Sequence, residues 1–246
     1  MKIQTLILGA VRCAVVGLLC ITAACDTTVN TDVAEVGEPI EITDSIQATA
    51  FYKVDTAQSE VTWIGAKITG QHTGILVIQE GQLELHDSIL VGGRIVLDMV
   101  ATQSLDKNID EESNKKLTTH LRSADFFDVE RHKTAVFEIT GIVPFDSTAQ
   151  TADNTRKYSE LRVKNPTHRL TGNLSIKSKK KSVTFPARIT MAGDELRSKA
   201  NFNIDRTQWG LTYRSDQSLG NQTIYPEVNI NLNILAKPIP AEKAIE

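Results

Sequence analysis

The stretch Val183-Thr-Phe-Pro-Ala-Arg-Ile-Thr-Met191 decides the fold, because every odd position is apolar while Thr184, Pro186, Arg188 and Thr190 take the even ones. A period of two sets Val183, Phe185, Ala187 and Ile189 on one face of a strand and the rest on the other. Val228-Asn-Ile-Asn-Leu-Asn-Ile234 repeats the pattern with Asn229, Asn231 and Asn233 on the second face, and Leu170 to Ile176 and Ala200 to Ile204 follow it. Each strand is expected to bury one face and wet the other, with Asn173 also turned to water.

Earlier in the chain, strand-like runs occupy Glu60 to Ile68, Gly74 to Glu80, Gln82 to His86, Gly93 to Val100 and Ala135 to Gly141. Gly81 and Gly92-Gly93 mark turns or bulges between or within them. One helix is expected over Asp110 to Phe127, where Leu117, Leu121 and Ala124 have helical spacing and Glu111 and Glu112 favour the first turn. It would plug or rim the domain. About eight antiparallel strands, each apolar on one side, must close into a barrel or stack as two sheets. The barrel is the preferred reading. Its second face carries Asn, Thr, Lys and Arg, the reverse of an outer-membrane barrel, so it should stand in water.

Ahead of the strands, MKIQTLILGAVRCAVVGLLCITAAC reads as an export signal over 1–24, with Lys2 and Arg12 before an apolar run too short to span a bilayer. Ala23-Ala24-Cys25 resembles the lipobox of bacterial lipoproteins, with Thr22 where leucine is usual. The three cysteines are Cys13, Cys20 and Cys25, so cleavage before Cys25 leaves one thiol, and lipidation of Cys25 accounts for it. An ordinary signal peptide leaving a free thiol is the competing reading. Residues 25–50 then read as a lipidated N-terminus and a flexible acidic tether of roughly 25 Å, 51–238 as one domain, and 239–246 as a tail. The polar stretch Asp146 to Ser159 reads as a long loop.

The formal net charge is −3, and removing Lys2 and Arg12 makes the mature chain more acidic. That balance argues against nucleic acid as a partner. The run Lys177, Lys179, Lys180, Lys181 reads as a solvated hairpin tip. His72, His86, His120, His132 and His168 have no metal-binding spacing, and no glycine-rich nucleotide loop or nucleophile elbow is present. No metal, cofactor or catalytic site is expected, although His120 with Asp125 offers an alternative in which the protein modifies lipids.

His120-Leu-Arg-Ser-Ala-Asp-Phe-Phe-Asp128, followed by Val129-Glu-Arg-His-Lys-Thr-Ala-Val-Phe-Glu-Ile139, resembles the signature stretch of YceI-like proteins. Leu170 to Leu174, Val183 to Pro186, Phe202 to Asp205 with Trp209-Gly210, and Glu227 to Ile230 follow in the family's order. The resemblance spans about Tyr52 to Leu235 and departs from the family at Ser178 to Ser182 and in the inserted Asp146 to Ser159 loop. It implies an all-β, lipocalin-like up-and-down barrel of about eight strands with one short helix, exported to the periplasm or cell surface. It also implies a polyisoprenoid or other long-chain amphiphilic lipid as partner. Cys25 would add a membrane, and a homodimer is left open.

An eight-stranded interior is just wide enough to be filled or to hold one ligand, and aromatics at 5% of the chain lean toward space. Candidate tail contacts are Trp63, Ile75, Val77, Val183, Phe185, Ile189, Phe202 and Trp209; plain core packing is the alternative for each. Head-group candidates are His120, Arg122 and Arg206, against structural roles in which Arg122 pairs with Asp125 or Asp128 and Arg206 fixes a turn. The leading function is a tethered lipid carrier or buffer. A surface or stress-response lipoprotein with a solidly packed barrel is the alternative.

Overall fold

The computed structural model describes residues 27–42, 46–146 and 158–240. The signal, Cys25, most of the 146–159 loop and the end of the tail lie outside the described residues. The strands are β1 (Asp32–Val33), β2 (Glu35–Gly37), β3 (Ala50–Val54), β4 (Glu60–Lys67), β5 (Gly70–His86), β6 (Ile89–Ser104), β7 (Thr134–Pro144), β8 (His168–Ile176), β9 (Lys179–Ala192), β10 (Glu195–Asp205) and β11 (Ile224–Pro238), with α1 (Glu111–Arg122) between β6 and β7. β3 and β4 share one stave, since both pair with β5 and with β11. Eight staves therefore close, antiparallel, into the expected barrel.

β5 is a single strand where two were expected. Its register against β6 shifts between Ile78 and Glu80, so the inward positions change from even (Leu76, Ile78) to odd (Leu83, Leu85). Gly81 follows the shift, where a Cβ would come within 2.6 Å of the Val54 side chain. A second shift, near Gly92-Gly93, lets Leu85 face Leu90. These glycines bend continuous strands and do not end them.

α1 is capped by Asp110, whose carboxylate accepts from the Ser113 amide at 2.7 Å. It stops at Arg122, short of the expected Phe127, because Ser123 turns extended and donates its hydroxyl to the His120 carbonyl at 2.8 Å. The Arg122 guanidinium donates Nε and Nη2 to the Thr102 carbonyl at 3.1 and 2.9 Å, and the Asn114 amide donates to the Asp106 carbonyl at 2.8 Å. The helix is thereby fastened to the end of β6, across one mouth of the barrel.

The flexible tether is corrected by the structure: residues 27–42 lie against the barrel. β9 and β10 pair only from Arg188 and Lys199 outward, and nearer the mouth they part. β1 runs parallel to β10 (Asp32 beside Phe202) and β2 antiparallel to β9 (Val36 beside Val183), filling the gap. Pro186 stands where the strands separate. Ala187 gives its carbonyl to the Thr167 amide on the β8 side, so Pro186 turns its nitrogen to the seam, where no ladder donor is required. The acidic composition serves docking, with Asp32 held by both Nε and Nη2 of Arg162 at 2.9 and 2.8 Å, Glu35 by Arg169 and Glu38 by Lys181.

Asn233 is exposed as expected and Asn231 half-buried, but Asn229 and Asn173, expected in water, are buried, as are Asn201 and Asn203. Asn201, Asn203 and Asn229 bond one another through their side-chain amides at 3.0–3.1 Å, Asn203 donates to the Val29 carbonyl, and Asn173 brackets the backbone of Ile40. All four are buried. Buried amides need such partners, which is why the second face of these strands is asparagine and not leucine.

Candidate ligand-binding cavity

The interior is divided across its length. Away from α1, Tyr52, Val54, Leu83, Leu85, Leu90, Leu170, Ala187, Leu196 and Ala236 pack into a filled core. Toward α1 the barrel holds a cavity of about 470 Å³, within the range of small-molecule sites. The barrel is thus filled at one end and hollow at the other.

Aromatic rings shape this hollow half. Phe185 and Phe202 stack at 4.0 Å with 15° between planes, and Phe137 lies 5.9 Å from Phe185. Gly172 and Gly74 let two rings lie flat on the wall: a Cβ on Gly172 would come within 2.3 Å of Phe137, and one on Gly74 within 2.5 Å of Trp63. α1 contributes Leu117, His120 and Leu121, and Phe126 beyond its end packs with Trp63 and Leu121. The helix rims the cavity and does not plug it.

Four of the expected tail contacts, Trp63, Val183, Phe185 and Phe202, line the cavity. Four do not. Ile75 and Val77 occupy the opposite parity of β5 and face outward, since Leu76 is the lining residue between them. The run Ile75-Leu-Val-Ile78 is apolar on both faces, so its parity could not be read without the partner strand. Ile189 points inward but into the filled half, against the core. Trp209, 1% exposed, is locked by its indole N–H to the Leu174 carbonyl at 2.9 Å and is core.

Of the head-group candidates only His120 borders the cavity with a free approach. Its Nε2 meets Asp125 at 2.9 Å and its ring stands edge-on to Phe126 and Tyr213. Arg122 is spent on the Thr102 carbonyl, not on Asp125 or Asp128. Arg206 borders the cavity but is 5% exposed and gives its donors to the carbonyls of Leu211, Tyr213, Ile224 and Tyr225. Burial holds its guanidinium below the usual value, opposed by Asp205 and Glu227. It fixes the turn between β10 and β11.

The mouth's further polar groups escaped the sequence reading: Lys67, His72, Arg214, Asn221 and Gln222. His72 Nδ1 meets the enclosed carboxylate of Asp106 at 2.7 Å. Burial pushes Asp106 up, but the Asn108 amide and His72 outweigh it and hold the carboxyl below its usual value. Nothing in the spacing of 67, 72, 106 and 214 announces this group; only closure of the barrel assembles it.

A one-ended barrel with a hollow, helix-rimmed mouth now accounts for the ordered motifs, and the YceI-like domain pattern matches residues 52–236. The chain belongs to the YceI-like family. Among solved structures, BcnA of Burkholderia cenocepacia is similar over 75% of this chain and 99% of its own, with TM-score 0.55 and 19% identity. A polyisoprenoid binding domain from Saccharophagus degradans, implicated in plant cell wall breakdown, is similar over 76% and 98%, with TM-score 0.54 and 11% identity. At these identities the likeness establishes the fold. No curated protein matches the chain.

Proposed function

We propose that this YceI-like protein is an exported lipoprotein, attached to a membrane through Cys25, whose barrel carries or buffers a polyisoprenoid or similar long-chain amphiphile. The observation behind the cargo is the aromatic-walled cavity of about 470 Å³ that opens at one end among Lys67, His72, His120 and Arg214. An apolar chain fits the wall, and a polar head fits the mouth. A chain burying about 400 Å² gains roughly 10 kcal/mol from the apolar transfer alone, enough to leave useful affinity after the cost of association. The similar Saccharophagus degradans domain, itself a polyisoprenoid binding domain, supports the same class of cargo. The reading is of a binding protein, since the aromatic and aliphatic wall suits holding a chain.

The test is extraction of the purified protein with organic solvent followed by mass spectrometry. Near-stoichiometric isoprenoid is expected. A protein that yields no lipid and takes up no prenyl alcohol would sink the cargo reading. The anchor is read separately, by the intact mass at Cys25 and by membrane fractionation of Cys25→Ala, which should become soluble.

A further inference from the structure

We infer that the open end of the barrel is the face that lies on the membrane, seated on anionic lipid headgroups. The inference rests on the Cys25 anchor proposed above. The described chain begins at Thr27, whose hydroxyl donates to the Lys67 carbonyl at 2.6 Å and whose own carbonyl accepts from the Gln71 side chain. Lys67 and Gly70 are paired at the tip of the β4–β5 hairpin, and Lys67 borders the cavity mouth. Two residues of chain reach at most about 7 Å. A lipid anchor two residues before Thr27 would therefore tether the barrel from beside the mouth, where a free tether of some twenty residues would have let any face meet the bilayer.

Exposed apolar side chains tip both ends: Ile68 and Leu219 by the mouth, Ile89 and Met191 at the far end. Charge tells the ends apart. The far hairpins carry Asp87 and Asp194, with Glu195 paired to Arg197 at 2.7 Å, whereas those at the mouth carry Lys67, Lys177 and Lys179, with Arg214 on the adjoining loop beside one acid, Asp216, which caps the short turn at 217–222. These four cations make no ion pair among the described residues. The acids of α1 are neutralised on the helix itself, Glu111 by Lys115 and Glu112 by Lys116, both at 2.7 Å. Cations with flanking apolar tips suit a bilayer surface carrying negative headgroups. The arrangement aims the cavity at the phase from which a long-chain lipid comes.

The test uses the full lipidated chain in phosphatidylethanolamine–phosphatidylglycerol vesicles, with an environment-sensitive fluorophore on Ile68→Cys, Leu219→Cys or Asp194→Cys and a lipid-borne quencher. Labels at 68 and 219 should be quenched severalfold more than the label at 194. Replacing Lys67, Lys177, Lys179 and Arg214 by Gln should weaken that quenching, at about fivefold in the docked ratio per charge. Mouth labels that stay in water, a label at 194 quenched as strongly, or quenching indifferent to the four charges would overturn the inference. The mass at Cys25 in the same samples separates causes. With lipid present, such a result removes the orientation alone; without it, the anchor falls too. The orientation does not depend on whether isoprenoid is recovered.

Discussion

Leu76 and Leu85 lie on the same strand and both point inward, yet Leu85 is wholly enclosed while Leu76 borders a cavity. One barrel thus contains a filled half and a hollow half, built from the same alternating pattern. The filled half is aliphatic, crowded with Leu83, Leu85, Leu90, Leu170 and Leu196. The hollow half is aromatic, its rings lying along the wall over Gly74 and Gly172. Few aromatics had suggested space in the interior, and the space lies where the aromatics are. Branched side chains interdigitate across the axis, whereas flat rings backed by glycine line a wall without crossing it.

The contrast is broken most severely by truncation. Leu85→Ala should cost about 2–5 kcal/mol, because the filled half can collapse only partly around the lost volume. Leu76→Ala should cost well under half as much, since one side of Leu76 already faces space. Urea unfolding of the two variants measures the difference; equal losses would mean that the cavity collapses in solution.

Enlargement reverses the comparison. Ala187 is fully buried in the filled half, so Ala187→Leu should destabilise by about 1–3 kcal/mol through overpacking. Ala135 is equally buried from solvent but borders the cavity, so Ala135→Leu should leave stability unchanged or raised while lowering uptake of a prenyl alcohol. Thermal unfolding with a binding titration reads both, and an Ala135→Leu protein that unfolds easily yet binds normally would contradict the assignment.

These halves mark how far the sequence could be read. Alternation at Val183 to Met191 and at Ala200 to Ile204 was enough for half-buried strands and for the inward set Val183, Phe185 and Phe202, because a two-residue period has one meaning on a half-buried strand, while the choice of a barrel over two stacked sheets was a preference that the family resemblance also implied. It failed at Ile75 and Val77, where both faces are apolar and a bulge switches parity. The acidic segment 27–42 looked free because composition was judged without the Arg162, Arg169 and Lys181 that receive it. Pro186 did carry a signal. A proline in a strand interior asks for a missing neighbour, and the parted seam supplies one. His72 with Asp106 joins residues 34 apart, a distance along the chain that no local motif expresses.

That pair gives the mouth half its own acid sensitivity. Asp106 has a folded pKa below its unfolded value, so its contribution is full above the ordinary carboxylate value of about 3.9 and is lost as pH falls through the depressed folded value. Asp106→Asn should therefore cost about 1–3 kcal/mol at neutral pH and progressively less below about pH 4. Denaturant unfolding at both ends of that range checks it. A difference that stays constant into acid would show that the carboxylate's charge is not what fastens this corner.

The gentlest probe of the two halves leaves stability aside and uses the two tryptophans. Trp209 is pinned by its indole hydrogen bond to Leu174 and touches no cavity space. Trp63 lines the cavity, and its Nε1 is buried with no acceptor among the described residues, so packing alone, over Gly74 and against Leu121 and Phe126, sets its ring. An apolar chain entering the cavity changes the surroundings of Trp63 and leaves those of Trp209 as they were. Loading with a prenyl alcohol should therefore shift emission in the wild type and in Trp209→Phe, and leave Trp63→Phe silent. If the signal instead followed Trp209, the chain would have to penetrate between Leu174 and the wall behind it, and the boundary between the filled and hollow halves would lie elsewhere.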